Sequence, residues 1–324
     1  MTQPRVGDLD EEALLAQVFP LLPAGDATLL GPGDDAAVLA APDGRTVVST
    51  DVLVEDRHFR RAWGTGADLG WRAAMQNLAD VAAMGARPTG IVVGLVLPAD
   101  VEVAWVLDLA RGLAAACAPH GAGVVGGDLT SGDAVVVAVT VHGDLEGRAA
   151  VLRSGARPGD VLALAGTLGR AAAGHAVLEA GLAGHAELVE AFVRPTCPLE
   201  AGPAAARGGA SAMMDVSDGL LRDAGRLARA SGVLVDVDPG LLGGFVAPLR
   251  AAAQATHSDP LTWVLTGGED HGLLATFPDD GALPSGFVPI GRVEPGEGVR
   301  VAGQAWSGRS GWDHFGGSGR QPRR

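Results

Sequence analysis

The sequence contains no lysine and no tyrosine, and Asn77 is its single asparagine. The missing lysine matters for mechanism, because P-loop NTPases hold the β- and γ-phosphates with a lysine and protein kinases rely on a strand lysine. Schiff-base chemistry also needs a lysine amine. The sequence therefore excludes these three classes, and positive charge opposite a bound phosphate must come from arginine or a metal ion.

Cysteine and long apolar runs are also scarce. Cys117 and Cys197 lie far apart without metal-ligand spacing, which indicates structural thiols rather than a disulfide or a zinc site. No apolar run approaches the roughly 20 residues that span a bilayer. The first residues, MTQPRVGDLDEE, lack the basic and apolar regions of a secretion signal. We therefore expect a cytoplasmic protein without a membrane partner.

The formal net charge is -14 at pH 7 over 324 residues. This acid excess argues against nucleic-acid binding, which needs clustered Lys and Arg, and it suits divalent cations. The length predicts two domains or one large α/β unit. The polar segment GDLEGR, residues 143–148, is the predicted linker between domains at 1–145 and 146–324, and the basic tail near 318–324 is predicted to be disordered.

Three predicted glycine turns carry acidic residues. GPGDDAAVL, residues 31–39, presents Asp34 and Asp35, VVGGDLTSGD presents Asp128, and LTGGEDHGL presents Glu269 between two predicted strands. Glycine lets backbone amides approach a phosphate closely, but carboxylates repel a bare phosphate. Either a metal ion lies between carboxylate and phosphate, or these acids only shape the turns.

An apolar strand is predicted at residues 46–54, and its centre is polar. Period-two alternation places Ser49 and Asp51 on one face and Thr50 on the other. A buried carboxylate without a partner is costly, and a metal ion would supply the partner. The alternative is an edge strand with one solvated face.

A second predicted strand, SAMMDVSDG at residues 211–219, delivers Asp215, Ser217 and Asp218 to the start of a helix. Ser or Asp commonly caps a helix, which would account for Ser217 or Asp218. A cap does not account for Asp215, which alternation places on the same face as Ser217.

The alanine-rich helix predicted at residues 68–86 also has polar exceptions. Asn77 and Asp80 are three residues apart and share a face, whereas Ala74 and Leu78 mark the buried face. A solvated helix face is the alternative explanation for this pair.

Acidic residues thus recur beside glycine or in apolar surroundings. They are Asp34, Asp35, Asp51, Asp80, Asp128, Asp215, Asp218 and Glu269. Oxygen ligands suit Mg²⁺, which binds carboxylates, waters and substrate phosphates. Phosphoryl transfer relies mainly on positioning and charge neutralisation, so the pattern favours this reaction.

Seven motifs, in order, resemble the thiamine-monophosphate kinases of the PurM-like ATP-binding superfamily. They are GDDAAVL, STDVLVEDRHF, NLADVAAMGARP, GGDLTSGD, RSGARPGD, MDVSDGL and LTGGEDHGL, and the resemblance spans residues 9–315. It implies an α/β (α+β) fold of two PurM-like domains, the N-terminal one forming a shared sheet or barrel in a homodimer. It also implies direct, in-line phosphorylation of thiamine monophosphate by ATP to give thiamine diphosphate and ADP, with several Mg²⁺ ions.

The resemblance implies roles for individual residues. The implied catalytic residues are Asp35, Asp51, Asp80, Asp128 and Asp215. The implied metal ligands are Asp35, Ser49, Thr50, Asp51, Asp80, Asp128, Asp215 and Asp218. The residues implied to contact ATP are Gly127, Asp128, Arg153 and Ser217. Those implied to face thiamine monophosphate are His58, Glu269 and Trp312, since an aromatic ring and a carboxylate both suit a cationic thiazolium.

The sequence departs from the family pattern in two respects, and two alternative functions fit its motifs. Relatives often place an aromatic residue before the Gly-Gly-Asp motif, whereas His120 is the closest ring here, and GGDLT lacks the usual pair of threonines. One alternative is another PurM-like enzyme, such as a selenophosphate synthetase, an aminoimidazole ribonucleotide synthetase or a hydrogenase-maturation dehydratase. The other is a non-catalytic metal-binding scaffold that kept the fold.

Overall fold

The computed structural model describes residues 3–32, 36–279, 281–308 and 310–312. The acidic turn with Asp34 and Asp35 and the predicted basic tail lie outside the described residues. No helix in the described ranges is long and apolar enough to cross a membrane.

The first half of the described chain builds an antiparallel-rich sheet against two long helices. Its helices are α1 (Glu11–Val18), α2 (Gly66–Ala83) and α3 (Val103–Cys117), and its strands are β1 (Thr28–Leu30), β2 (Val38–Leu39), β3 (Val47–Val54), β4 (Arg87–Leu97), β5 (Gly123–Ser131) and β6 (Val136–Asp144). Strands β3, β6, β4 and β5 form the sheet in this order, in which only β4 and β5 run parallel. Strands β1 and β2 pair separately.

The second half forms a larger mixed sheet with helices around it. Its helices are α4 (Arg170–Glu179), α5 (Ala186–Val193), α6 (Ala201–Arg207), α7 (Leu220–Ser231), α8 (Gly243–Val246), α9 (Arg250–Ala255) and α10 (Pro260–Thr266), and its strands are β7 (Val161–Ala165), β8 (Ala212–Val216), β9 (Leu234–Val237), β10 (Gly272–Phe277), β11 (Phe287–Glu294), β12 (Gly298–Val301) and β13 (Gln304–Ala305). The order across the described sheet is β13-β12-β9-β11-β7-β10-β8. The domain boundary near residue 145 stays a prediction.

Helix α2 lies at the centre of the molecule. It begins at a capping box in which the Thr65 hydroxyl accepts from the Asp68 amide and the Asp68 carboxylate accepts from the Thr65 amide. Fourteen of its 18 residues are buried. It crosses α3 at Gly70, where a Cβ would lie 2.0 Å from the Leu109 carbonyl oxygen, so only glycine permits this close approach.

The alternative explanation for Asn77 and Asp80, a solvated helix face, does not hold for Asn77. Asn77 is fully buried, and its amide donates to the Ala73 carbonyl at 2.8 Å. The reason is tertiary, because α2 packs on the first sheet and also on β8, β10 and α6 of the second half. One apolar cluster accordingly joins Leu78 of α2 to Met213 and Leu273 of the second sheet. Arg72, Gln76 and Asn77 of α2 therefore lie inside the protein.

Two sequence predictions about local structure are also wrong. The Gly-Gly-Asp motif does not form a turn but lies within β5, where a Cβ on Gly127 would meet the Val93 carbonyl oxygen at 2.0 Å. The segment before the Glu269 turn is helix α10 rather than a strand, and Asp259 caps it by accepting from the Leu261 and Thr262 amides. The remaining predicted strands and helices around the acidic motifs form as expected.

Candidate active site

A polar ridge along α2 organises the candidate site. Arg72, Gln76 and Asp80 are spaced four residues apart, so they lie on one side of the helix. Each lies beside a residue of another segment: Arg72 donates to Glu269 at 2.8 Å, Gln76 lies near enough to Asp51 to lower its pKa, and Asp80 accepts from the Ser49 hydroxyl at 2.6 Å. The ridge therefore joins a glutamate at one end to an acidic cluster at the other.

The acidic cluster consists of Asp51 on β3, Asp80 on α2 and Asp215 at the end of β8. Burial raises the pKa of Asp51, and repulsion from Asp215 adds to the rise. Burial and then the charge of Asp215 raise the pKa of Asp80 to about 7, although the hydrogen bond from Ser49 opposes this. These carboxylates repel one another in a partly dry environment, so they favour a bound positive charge.

Carboxylates in this state fit a hard divalent cation such as Mg²⁺. Within the described residues, no three His, Cys, Asp or Glu side chains are grouped closely enough to hold a metal ion. Mg²⁺ commonly binds one or two carboxylates and completes its octahedron with waters and substrate phosphates. The donor set at Asp51, Asp80 and Asp215 matches this mode of binding rather than a closed protein cage.

A cavity of about 440 Å³ lies at the Arg72 end of the ridge. The three residues predicted to face the substrate, His58, Glu269 and Trp312, all line it, and so does Ser217. Each comes from a different segment, and the fold brings them together. One wall is aromatic; it is formed by Trp63, His175 and Phe192, whose ring centroids lie 5.1 to 5.9 Å apart in edge or tilted contacts.

Glu269 is fixed by its backbone and by two cationic partners. Its φ of 70° lies in the left-handed region, where a glutamate is strained, and its amide donates to the Ser217 carbonyl at 2.8 Å. Its Oε2 lies 2.8 Å from Arg72 Nη2 and 3.6 Å from His271 Nε2. Burial opposes ionisation, but Arg72 and His271 hold the pKa of Glu269 well below its usual range.

His271 links the cavity to the acidic cluster. Its Nδ1 lies 3.4 Å from Asp215 Oδ2, and its other nitrogen faces Glu269. Burial alone would lower its pKa, but the contact with Asp215 and the nearby charge of Glu269 raise the pKa of His271 to about 10. Arg72, Glu269, His271 and Asp215 thus form a chain of alternating charge across the site.

Trp312 is held at the cavity by the turn after β8. Its amide donates to the Asp218 carbonyl at 2.9 Å, and its side chain is 55% exposed. The Asp218 carboxylate is already paired, 2.5 Å from Arg226 Nη2 and 3.6 Å from Arg222 Nε. In this structure Asp218 therefore supports the turn, and its role as a metal ligand stays a prediction.

Several predicted ligands do not join the acidic cluster. The register places Thr50 and Asp128 on the face of the first sheet opposite Asp51. Thr50 donates to the Val139 carbonyl at 2.9 Å. Asp128 and Gly127 line a second, larger cavity of about 940 Å³, together with residues on both sides of the acidic turn, at 32 and 36–37.

Arg153 also lies apart from the cluster. It is exposed on a loop, and its carbonyl accepts from the Ser231 hydroxyl at 3.1 Å. Among the described residues it does not line either cavity. Its proposed contact with ATP, like the metal role of Asp35 outside the described residues, stays a prediction.

Two family models match this chain, one in each half of the described fold. The family model for the N-terminal domain of AIR synthase related proteins matches residues 33–145, and the model for the C-terminal domain matches residues 157–302. A thiamine-monophosphate kinase of Mycobacterium tuberculosis is 52% identical over 289 residues, which are 89% of this chain and 86% of the relative. One from Corynebacterium glutamicum is 42% identical over 90% of this chain and 88% of the relative.

The chain belongs to the thiamine-monophosphate kinase family.

Solved structures agree with this placement. The thiamine monophosphate kinase of Aquifex aeolicus matches with a TM-score of 0.76 and 34% identity over 82% of this chain and 90% of that one. AaThiL complexed with AMPPCP and TMP matches with a TM-score of 0.79 and 32% identity over 97% of this chain and 100% of that one. The hydrogenase maturation protein HypE of E. coli, at 19% identity and a TM-score of 0.73, shares the fold alone.

Sequence reasoning missed four polar residues of this kinase-family site. They are Arg72, Gln76, Asp270 and His271. Asp270 is buried and accepts from the amides of residues 169–171 and the Thr167 hydroxyl, which orients the start of α4 beside the cavity. A signal for the ridge was present, because polar residues spaced by four interrupt an alanine-rich helix. Asp270 and His271 stood inside the GGEDHG motif without a pattern that separates them from turn residues.

Proposed function

We propose that this protein transfers the terminal phosphoryl group of ATP to thiamine monophosphate, giving thiamine diphosphate and ADP. The observation that carries the proposal is the α2 ridge, which joins a cavity of about 440 Å³ to a partly buried cluster of repelling carboxylates. Family membership and the solved complex of a relative with AMPPCP and TMP support the same conclusion. Such a connection suits a reaction in which an organic phosphate must meet a metal-bound nucleotide.

In this proposal the cavity binds the thiamine part of the substrate. The rings of Trp63, Phe192 and Trp312 offer faces and edges to a planar cationic heterocycle. The substrate phosphate then points along α2 towards Asp51 and Asp80. This orientation places the acceptor oxygen beside the acidic cluster, where the reacting groups are brought into line.

Asp51, Asp80 and Asp215 would hold Mg²⁺, with Ser49 orienting Asp80. A bound cation supplies charge neutralisation for the phosphoryl oxygens in the transition state. The protein's own contribution is to fix the carboxylates and to exclude bulk water from the inner end of the site. With no lysine in the chain, arginine and the cation provide the positive charge.

A homodimer and a cytoplasmic location are part of this proposal. One face of the first sheet carries exposed apolar side chains, since Val48 and Val52 are 59% and 47% exposed on it. Exposed apolar sheet faces favour association. Sedimentation analysis should give the mass of two chains, and a monomer at micromolar concentration would contradict this part of the proposal.

The test of the activity is direct. Purified protein is incubated with thiamine monophosphate, ATP and Mg²⁺, and thiamine diphosphate and ADP are quantified together. We expect the two products in equal amounts. ADP release without thiamine diphosphate would refute the substrate assignment, and no turnover of ATP would favour the non-catalytic scaffold.

A further inference from the structure

The Glu269 carboxylate is paired on one oxygen only. Arg72 Nη2 and His271 Nε2 both approach Oε2, at 2.8 and 3.6 Å. Among the residues that the structure describes, Oε1 has no hydrogen-bond partner. Because Glu269 lines the cavity and its side chain is 36% exposed, Oε1 is the acceptor that a ligand in the cavity meets.

Arg72 is buried more deeply than a surface ion pair would require. Its side chain is 3% exposed, and its guanidinium carbon lies 4.8 Å above the Phe192 ring. Its Nε is buried without a hydrogen-bond partner in the described part of the chain. A buried guanidinium is costly unless a carboxylate compensates it, so Arg72 and Glu269 fix each other in place.

This pairing changes what Glu269 can offer to a substrate. A carboxylate that is already neutralised by arginine attracts a second cation only weakly, so Glu269 is poorly suited to be the counter-charge of a thiazolium. A fixed carboxylate oxygen is well suited to accept a hydrogen bond from an N–H donor. Thiamine monophosphate has one N–H donor, the exocyclic amine of its pyrimidine ring.

Building on the proposed function, we propose that Arg72 is a positioning residue. It holds Glu269 Oε2 so that Oε1 faces the cavity and accepts from the pyrimidine amine, while the aromatic wall meets the cationic ring. This assignment predicts that Arg72 acts on recognition of thiamine monophosphate and not on the use of ATP.

The experiment compares Arg72→Met, Arg72→Lys and Glu269→Gln with the unmodified enzyme. KM and kcat are measured for thiamine monophosphate and for the analogue that lacks the pyrimidine amine. We expect Arg72→Met to raise the KM for thiamine monophosphate about ten- to a hundredfold, since a hydrogen bond to a charged group is lost. The KM for ATP should stay within about twofold, and the analogue should show no added penalty.

The lysine variant keeps the charge but lacks the planar fork of the guanidinium. It should show a smaller rise in KM for thiamine monophosphate, about threefold or more, again without a penalty on the analogue. If the melting temperature shows that Arg72→Met does not fold, Arg72→Lys tests the assignment in its place. The double variant Arg72→Met with Glu269→Gln should lose less than the sum of the single losses.

Arg194→Met is the matched control. The Arg194 guanidinium carbon lies 4.6 Å from the ring centroid of Trp71, the neighbour of Arg72 on α2. Arg194 does not line the 440 Å³ cavity. Its KM values should match those of the unmodified enzyme. An unchanged KM in both Arg72 variants, or an equal penalty on both substrates, would overturn the assignment. An unmodified enzyme without activity would instead refute the proposed function, so the two failures are distinguishable.

Discussion

The two ends of the α2 ridge shift the pKa values of their carboxylates in opposite directions. At the cavity end, Glu269 has Arg72 and His271 beside it, and they hold its pKa well below the usual range. At the other end, burial and repulsion among Asp51, Asp80 and Asp215 raise the pKa of Asp80 to about 7. The carboxylate at the cavity end is therefore paired within the protein, whereas the carboxylates at the acidic end repel one another, which is the basis for the proposed cation there.

This difference indicates that the two ends of the ridge have different roles. Fixed internal charges preorganise the wall that recognises a substrate, because they need no reorganisation when the ligand arrives. The acidic end has fewer positive partners, and in the proposed function a metal ion with its phosphates supplies the remaining positive charge. His271 contacts both ends and limits the repulsion that Asp215 would otherwise exert.

The largest expected effect comes from removing a charge at the acidic end. Asp51→Asn should lower kcat about a thousandfold, because the proposed metal ligand is lost, while the folded structure is retained. Steady-state kinetics and the melting temperature measure the two parts. The control is Asp108→Asn, which changes an exposed ion pair with Arg111 on α3 and should leave both values unchanged. Near-normal turnover of Asp51→Asn would show that the two ends do not differ as described.

A smaller effect is expected at the cavity end. Trp312→Ala should raise the KM for thiamine monophosphate about tenfold with little change in kcat, since an aromatic face next to a cationic ring is lost. Trp306→Ala serves as the control, because Trp306 is not among the described residues that line the cavity. A large fall in kcat without a change in KM would contradict a binding role for Trp312.

The smallest effect concerns stability and pH. The pKa of Asp80 is 3.8 in an unfolded chain and about 7 in the folded protein. Between these values only the folded state holds the proton, so the free energy of unfolding falls as the pH rises through this window and levels off above it. Because a single carboxyl accounts for the difference, the loss should be about 4 kcal/mol at most.

Urea unfolding from pH 4 to pH 8 measures this slope. Asp80→Asn should flatten it relative to the unmodified protein, because the titrating group is removed. An identical slope in both proteins would show that Asp80 is not in a repulsive environment.

Much of the site was predictable from the sequence. Alternation placed Ser49 and Asp51 on one face of β3, and the MDVSDGL motif placed Asp215 at a strand end. The residues that line the cavity, such as His58 and Trp312, came from a resemblance and not from pattern, because segments so far apart meet only after the domains pack. Local sequence patterns do not show which distant segments contact each other in the folded protein.

The errors have a common physical origin in tertiary contacts. Gly127 reads as a turn residue, but its missing side chain is needed for the approach of β4 within a strand. Asn77 reads as a surface residue on an amphipathic helix, but α2 is covered on both sides. Arg72 was overlooked because a single arginine on a helix is ordinarily solvated, and only the fold shows that it is buried against Glu269.

One measurement tests the contrast between the two ends most directly. Mg²⁺ is titrated into the unmodified protein, Glu269→Gln and Asp51→Asn, without nucleotide, and the melting temperature is followed. A ligand that binds the folded state raises stability with its concentration. We expect a rise for the unmodified protein and for Glu269→Gln, and little or none for Asp51→Asn. An equal rise in Asp51→Asn, or no rise in the unmodified protein, would contradict this contrast.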